Sequence, residues 1–156
     1  MAHQRALVAT DERIATVEGD IRRPLEILAD PEFTTVIDLD RPVAVLLVAV
    51  LHFVRDEEDP GGVMNYLARH TAPGSYFVIT AATSTGTPDA TLKEIEEVCH
   101  RTRDLPPEHQ IRTWFEPFHL VSPGLVDVQH WRPDAAERRT DMRIVADVAY
   151  QTGWIG

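Results

Sequence analysis

The chain has 156 residues, 44% of them hydrophobic, which suits one ordinary domain. Lys and Arg number 15 against 25 Asp and Glu, and the net charge of -10 argues against nucleic acid as a partner because phosphate binding depends on basic patches. The only cysteine, Cys99, cannot form an internal disulfide and no secretory signal pattern is visible, so we expect a cytoplasmic protein. The longest apolar run, Val43 to Phe53 interrupted only by His52, falls far short of the roughly 20 residues that span a bilayer.

The first 42 residues predict a helix, a strand and a second helix. Residues 1–10 have a helix-compatible composition without a cap before them. Arg13 to Val17 is short and β-branched and is followed by the breaker Glu18-Gly19-Asp20, which predicts a strand that ends in a turn. Pro24 is suited to the first turn of a short helix, and residues 38–42 are turn material before the next strand.

The middle of the chain alternates between strand and helix. Residues 43–50 are apolar at every position, which is typical of a central strand covered on both faces in a parallel sheet. Residues 60–71 predict a helix that starts at Asp59-Pro60, residues 75–82 a buried strand, and residues 88–100 a further amphipathic helix. We expect the strands at 13–17, 43–50 and 75–82 to be parallel members of one sheet.

The last third is richer in β structure. Residues 111–115 predict a short helix, and residues 118–121 and 126–131 predict strands on either side of Ser122-Pro123-Gly124. Residues 144–150 form a candidate last strand. The whole pattern predicts a single three-layer α/β domain with right-handed crossovers between its parallel strands.

Three stretches together resemble a bacterial family catalogued as S-adenosyl methyltransferase: VEGDIRRPLEILADPE (17–32), DLDRPVAVLLVAVLHFV (38–54) and LVSPGLVDVQHWRPD (120–134). The resemblance implies a Rossmann-like methyltransferase sheet, mostly parallel with an antiparallel C-terminal strand, and S-adenosylmethionine (SAM) as the cofactor. It also implies that residues 1–10 correspond to the helix after the family's second strand. We therefore expect an N-terminally truncated form, without the glycine-rich turn and ribose-binding acid of a Rossmann site.

The resemblance implies that Asp20 contacts the adenine amino group and that the Ile21 amide reaches a ring nitrogen. A carboxylate is a suitable acceptor for an amino group. The alternative is that Asp20 only caps the turn before Pro24, a common role for Asp. Val50, Leu51 and His52 end the predicted central strand, where open α/β sheets gather ligands, so we expect Val50 and Leu51 to line the cofactor site.

His52 is the candidate catalytic residue. Its ordinary pKa of about 6.5 would allow it to act as a base or to position a substrate near neutral pH. Methyl transfer can also proceed by alignment of the nucleophile with the sulfonium alone. The alternative is a histidine that packs between elements and bonds the backbone.

No metal site is expected, because the other histidines do not have the spacing of ligands: His70, His100, His109, His119 and His130. We interpret residues 38–40 as solvated turn structure. The glycines at 60–62 and the segment 83–87 lack the Lys-Ser/Thr ending of a phosphate loop. Trp114, Phe115 and Phe118 are interpreted as packing residues, with a lid over substrate as the alternative.

Two functions follow from the sequence. The first is a SAM-dependent methyltransferase with an unidentified small-molecule acceptor, impaired in this short form. The second is a non-catalytic remnant or interaction module that needs a partner chain to complete its sheet, and exposed strand edges would then favour self-association. A nucleotide-binding α/β protein of another type is disfavoured by the lack of a phosphate-binding loop.

Overall fold

The computed structural model describes residues 12–98, 105–131 and 140–153, and its centre is one mixed sheet. The strands are β1 (Ala44–Val48), β2 (Tyr76–Ala82), β3 (His119–Leu120), β4 (Val126–Asp127) and β5 (Ile144–Tyr150). The sheet order is β1-β2-β5-β3, and β4 also pairs with β5. β1 and β2 are parallel, while β5 is antiparallel to its three neighbours. The α/β class, the parallel pairing of β1 with β2 and the antiparallel last strand are therefore confirmed.

The described residues contain five α-helices: α1 (Pro24–Leu28), α2 (Pro31–Val36), α3 (Pro60–Arg69), α4 (Asp89–Val98) and α5 (Glu108–Thr113). The single helix expected after Pro24 is divided, because Pro31 has no N–H to continue it and Asp30 caps a new helix by accepting the Glu32 N–H at 2.7 Å. The helices predicted at 60–71 and 88–100 are confirmed as α3 and α4. The helix expected at residues 1–10 lies outside the described residues, as does the predicted continuation of α4 beyond residue 98.

The core lies between one face of the sheet and the helices. Leu47 of β1 and Phe77 and Ile79 of β2 pack in one cluster with Met64 and Leu67 of α3. These α3 residues are three apart on one stripe of the helix, so their spacing directs them to the same sheet face. α3 is thereby packed against this face of the sheet.

The predicted first strand, Arg13 to Val17, is wrong. Residues 14–20 have no regular secondary structure, and Ile14 is about half exposed. β-branched residues favour an extended backbone, but a strand also needs a neighbouring strand to receive its backbone hydrogen bonds. No described strand pairs with this segment.

The prediction that residues 43–50 form a central strand with both faces covered is also wrong for the described chain. β1 is at the end of the sheet order. Leu46 is 62% exposed and Val48 is 54% exposed, while Leu47 between them is buried. An apolar side chain is buried only where another element covers it, and the described residues cover one face of β1.

The C-terminal strands are shorter than predicted. Only Val126–Asp127 of the expected strand 126–131 pairs with β5. The Asp127 carboxylate then accepts the Gln129 N–H at 2.9 Å and turns the chain into a short 3-10 helix. α5 begins three residues earlier than the helix predicted at 111–115, directly after Pro107.

Candidate functional site

Asp20 organises the turn that precedes α1. Its carbonyl accepts the Arg23 N–H at 2.8 Å, and its Oδ1 accepts the Arg22 N–H at 3.0 Å. Gly19 lies where α1 packs closely against this turn, since a Cβ on Gly19 would lie 2.4 Å from Ile27 Cγ1. The prediction that Asp20 caps this turn is confirmed. The prediction that it contacts adenine is compatible with this geometry and stays a prediction.

The Arg22 side chain holds the Asp20 carboxylate from the same turn. Arg22 Nε donates to Asp20 Oδ1 at 2.8 Å and to Oδ2 at 3.0 Å, and Nη2 also donates to Oδ2. These hydrogen bonds, first among the causes, lower the pKa of Asp20 to about 2. The carboxylate is therefore an acceptor throughout the physiological pH range.

The same guanidinium connects the Asp20 turn to the segment after β1. Arg22 Nη1 donates to Glu58 Oε1 at 2.6 Å. Glu58 Oε2 in turn accepts the Arg55 N–H at 2.9 Å, and this bond and the one from Arg22 lower the pKa of Glu58. Ile21, half-buried in the turn, packs against the core cluster that includes Leu51. The structure thus joins the Asp20 turn to the segment between β1 and α3.

The carboxyl end of β1 turns sharply at Ala49. Ala49 has φ 54°, in the left-handed region that few non-glycine residues adopt. Its N–H bonds both the carbonyl and the hydroxyl of Thr80 on β2, at 3.1 and 3.0 Å. Val50 then caps a 3-10 helix, Leu51–Phe53. Non-glycine residues in this region cluster at functional sites, so the turn is consistent with ligand binding at the β1 end.

Within that 3-10 helix, Leu51 and His52 have different surroundings. Leu51 is fully buried, so its side chain belongs to the core, and the prediction that Val50 and Leu51 line the cofactor site stays a prediction. His52 is half-buried, with its ring 4.3 Å from that of Phe53. Its Nδ1 lies 3.4 Å from the Ala82 amide nitrogen and accepts that N–H in a long hydrogen bond.

Burial lowers the pKa of His52 below its ordinary value. Because Nδ1 accepts a hydrogen bond, the proton of the neutral ring is placed on Nε2. Protonation of Nδ1 would remove that bond and would place a charge in a partly desolvated position. The structure therefore supports the packed, backbone-bonded alternative for His52, and its catalytic role stays a prediction.

Several other sequence interpretations are resolved by the contacts. Trp114, Phe115 and Phe118 are 2%, 3% and 8% exposed, and the Phe118 ring lies 4.4 Å from that of Phe77, so they are packing residues. The Asp40 N–H bonds Asp38 Oδ1 at 3.0 Å, which confirms the turn at 38–40.

Neither glycine-containing loop forms a phosphate cradle in the structure. Gly62 donates its N–H to Asp59 Oδ1 at 2.8 Å, and Asp59 occupies the site where a Cβ on Gly62 would lie. In the second loop the Thr83 and Thr87 hydroxyls donate to backbone carbonyls, at 2.9 and 2.7 Å. Over residues 12–98, 105–131 and 140–153, no three His, Cys, Asp or Glu side chains are grouped as metal ligands would be.

One ionisable residue, Asp147, was missed by the sequence analysis. It is fully buried in β5 opposite Ile79, and neither carboxylate oxygen has a hydrogen-bond partner. Burial raises its pKa to about 6, and the charge of Arg112 offsets this only in part. The signal was available, because Val145, Asp147 and Ala149 alternate along one strand and must share a face.

Among the described helices, none is both long enough and apolar enough to cross a membrane. The finding agrees with the short length of the apolar run that contains β1.

Comparison with known proteins identifies the family. A family model described as S-adenosyl methyltransferase matches residues 1–152. A protein from Thermobifida fusca YX, described as a candidate methyltransferase, is similar at 29% identity and a TM-score of 0.86 over 97% of this chain. A DUF574-family protein from Streptomyces avermitilis MA-4680 is 33% identical, with a TM-score of 0.78 over 86% of this chain. No curated protein matches.

The chain spans 59% of the length of the Thermobifida protein and 54% of that of the Streptomyces protein. TehB from Haemophilus influenzae is a more distant structural neighbour, at 15% identity and a TM-score of 0.56 over 96% of this chain and 44% of its own, and shows the fold alone. Together with the family model, these likenesses show a Rossmann-like methyltransferase fold. The chain belongs to the S-adenosyl methyltransferase family.

Proposed function

We propose that this chain contributes the adenine side of a SAM site in a methyltransferase that acts on a small-molecule acceptor. The observation that carries the proposal is the Arg22 to Glu58 ion pair, which joins the Asp20 turn to the segment between β1 and α3, while Ile21 packs against the core cluster. Ligands of open α/β sheets bind beyond the carboxyl ends of the strands. The family membership supplies the reaction class.

The roles of the residues follow from their chemistry. Asp20 is ionised and accepts a hydrogen bond from the adenine amino group, and the Ile21 N–H donates a hydrogen bond to a ring nitrogen of adenine. The backbone of Val50 and Leu51 lines the cofactor site at the end of β1. SAM, when bound, would supply an electrophilic methyl group to the acceptor and would leave as S-adenosylhomocysteine. Neutral His52, with its proton on Nε2, would orient the acceptor, since methyl transfer can proceed by alignment alone.

We further propose that the chain by itself binds SAM weakly. The described residues contain neither a glycine-rich turn after a first strand nor an acidic partner for the ribose, which a Rossmann site requires. At about 0.5 to 1.5 kcal/mol for each lost hydrogen bond, several missing contacts reduce the affinity about a hundredfold or more.

A second candidate function is an interaction module whose sheet is completed by another chain. The observation that favours it is the exposed apolar surface of β1 and β2, where Leu46, Val48 and Tyr76 are 62%, 54% and 48% exposed. β1 is also at one end of the described sheet, and an unpaired strand edge invites pairing with a further strand. A cytoplasmic location, suggested by the single cysteine, is part of the proposal in either case.

Calorimetric titration of SAM into the 156-residue chain, up to millimolar concentration, tests the proposal. We expect affinity at least about a hundredfold below that of a longer family member measured in parallel, and further loss in Asp20→Ala. Glu18→Ala, in the same turn and exposed, is the matched control and should bind as the wild type does. Saturable micromolar binding that depends on Asp20 would contradict weak binding and favour a complete site. Binding that is unchanged in Asp20→Ala would contradict the role of Asp20.

A further inference from the structure

We propose that Arg22 is a positioning residue that fixes the Asp20 carboxylate and leaves it one open acceptor direction for the adenine amino group. The inference rests on the proposed function of Asp20. The observation that carries it is the side-on contact of the Arg22 guanidinium with both carboxylate oxygens, combined with the contact of its third nitrogen with Glu58.

The acceptor positions of Asp20 can be counted. A carboxylate has about four lone-pair directions on its two oxygens. Oδ1 accepts the Arg22 N–H at 3.0 Å and Nε at 2.8 Å, so both of its directions are used. Oδ2 accepts Nη2 and shares Nε at 3.0 Å, along the edge that faces Arg22. The direction of Oδ2 that points away from the guanidinium remains for one further N–H donor.

The guanidinium itself is held in place at its other end. Glu58 Oε1 accepts Arg22 Nη1 at 2.6 Å, and its Oε2 is bonded to the Arg55 N–H at 2.9 Å. A planar fork bonded on two edges cannot rotate without losing contacts on both. The Asp20 carboxylate is therefore oriented relative to the segment that follows His52, and not only within its own turn.

A lysine could supply the charge of Arg22 but not this arrangement. An ammonium is a point charge on a flexible chain, whereas a guanidinium presents its donors in one plane. Arg22→Lys should therefore keep Asp20 ionised while allowing the carboxylate to rotate. This difference separates positioning from simple charge stabilisation.

The test compares adenosine with inosine, in which an oxo group replaces the amino group. Saturation-transfer NMR on the 156-residue chain detects weak ligands, so it does not require tight SAM binding. We expect the wild type to bind adenosine about tenfold more tightly than inosine, the effect of one hydrogen bond to a charged acceptor. Arg22→Met and Arg22→Lys should both bring the ratio close to one. Arg23→Met is the matched control, because the Arg23 side chain pairs with Glu26 and not with the Asp20 carboxylate. This variant should keep the wild-type preference for adenosine.

A second measurement tests the contact between Arg22 and the Asp20 carboxylate without any ligand. Carbon-13 NMR titration should give Asp20 a pKa of about 2 in the wild type and a higher value in Arg22→Met, which loses the side-chain bonds and keeps the backbone N–H bond, with Arg22→Lys remaining low. Loss of the adenosine preference in Arg22→Lys, with the Asp20 pKa still low, would support positioning. A preference that survives in Arg22→Met would overturn it. A wild-type chain that binds adenosine no better than inosine would overturn the proposed adenine contact and, with it, the positioning role. This holds even if the titration confirms that Arg22 lowers the pKa of Asp20.

Discussion

The buried carboxyl group of Asp147 should make this fold lose stability as the pH rises. The side chain is 0% exposed and neither oxygen has a hydrogen-bond partner, so burial raises its pKa from 3.8 to about 6. The folded state therefore favours the protonated form. The stabilisation from this group is complete below the unfolded pKa of 3.8 and is lost as the pH rises through 6. A difference of about two pKa units corresponds to about 3 kcal/mol.

Asp147→Asn isolates this effect, because asparagine has the same shape without the charge. We expect the variant to match the wild type near pH 4 and to exceed its free energy of unfolding by up to about 3 kcal/mol at pH 7. Urea denaturation followed by circular dichroism at pH 4, 5, 6 and 7 measures the difference. Asp141→Asn, at an exposed position just before β5, controls for the general loss of a negative charge. Equal pH profiles for Asp147→Asn and the wild type would refute the reasoning.

Three further predictions concern the β1 edge and its carboxyl end. Self-association through the exposed face should be visible by light scattering at micromolar concentration and should be reduced in Leu46→Lys or Val48→Lys; a monodisperse wild-type monomer would count against it. Ala49→Gly should raise the free energy of unfolding by up to about 1 kcal/mol, because glycine adopts φ 54° without steric cost; a loss of stability by urea denaturation would contradict the assigned turn. The His52 imidazole should titrate by proton NMR with a midpoint below its ordinary 6.5, and a midpoint at or above 6.5 would show that the ring is not desolvated as described.

The candidate site illustrates how far sequence reasoning extends. The resemblance identified Asp20, the end of the predicted central strand identified Val50 to His52, and the turn chemistry of Asp20 was foreseen from its position before Pro24. Neither approach indicated Arg22 or Glu58 as partners, since they are 36 positions apart in the chain. A guanidinium can reach two carboxylates only where the fold brings them together, so no local pattern predicts this pair.

The sequence by itself determined the elements whose physical causes are local. Residues 76–82 and 144–150 form strands because their apolar runs favour extended, buried backbone, and α3 begins at Pro60 because Asp59 caps it. Only the tertiary structure decided what depends on neighbours. Arg13 to Val17 has the composition of a strand but pairs with no described strand, β1 is at one end of the described sheet although it is as apolar as a central strand, and Asp147 is a core residue although it is charged in water. Secondary structure follows from bonds made within a few residues, whereas pairing, coverage and desolvation depend on which distant segments the fold places alongside.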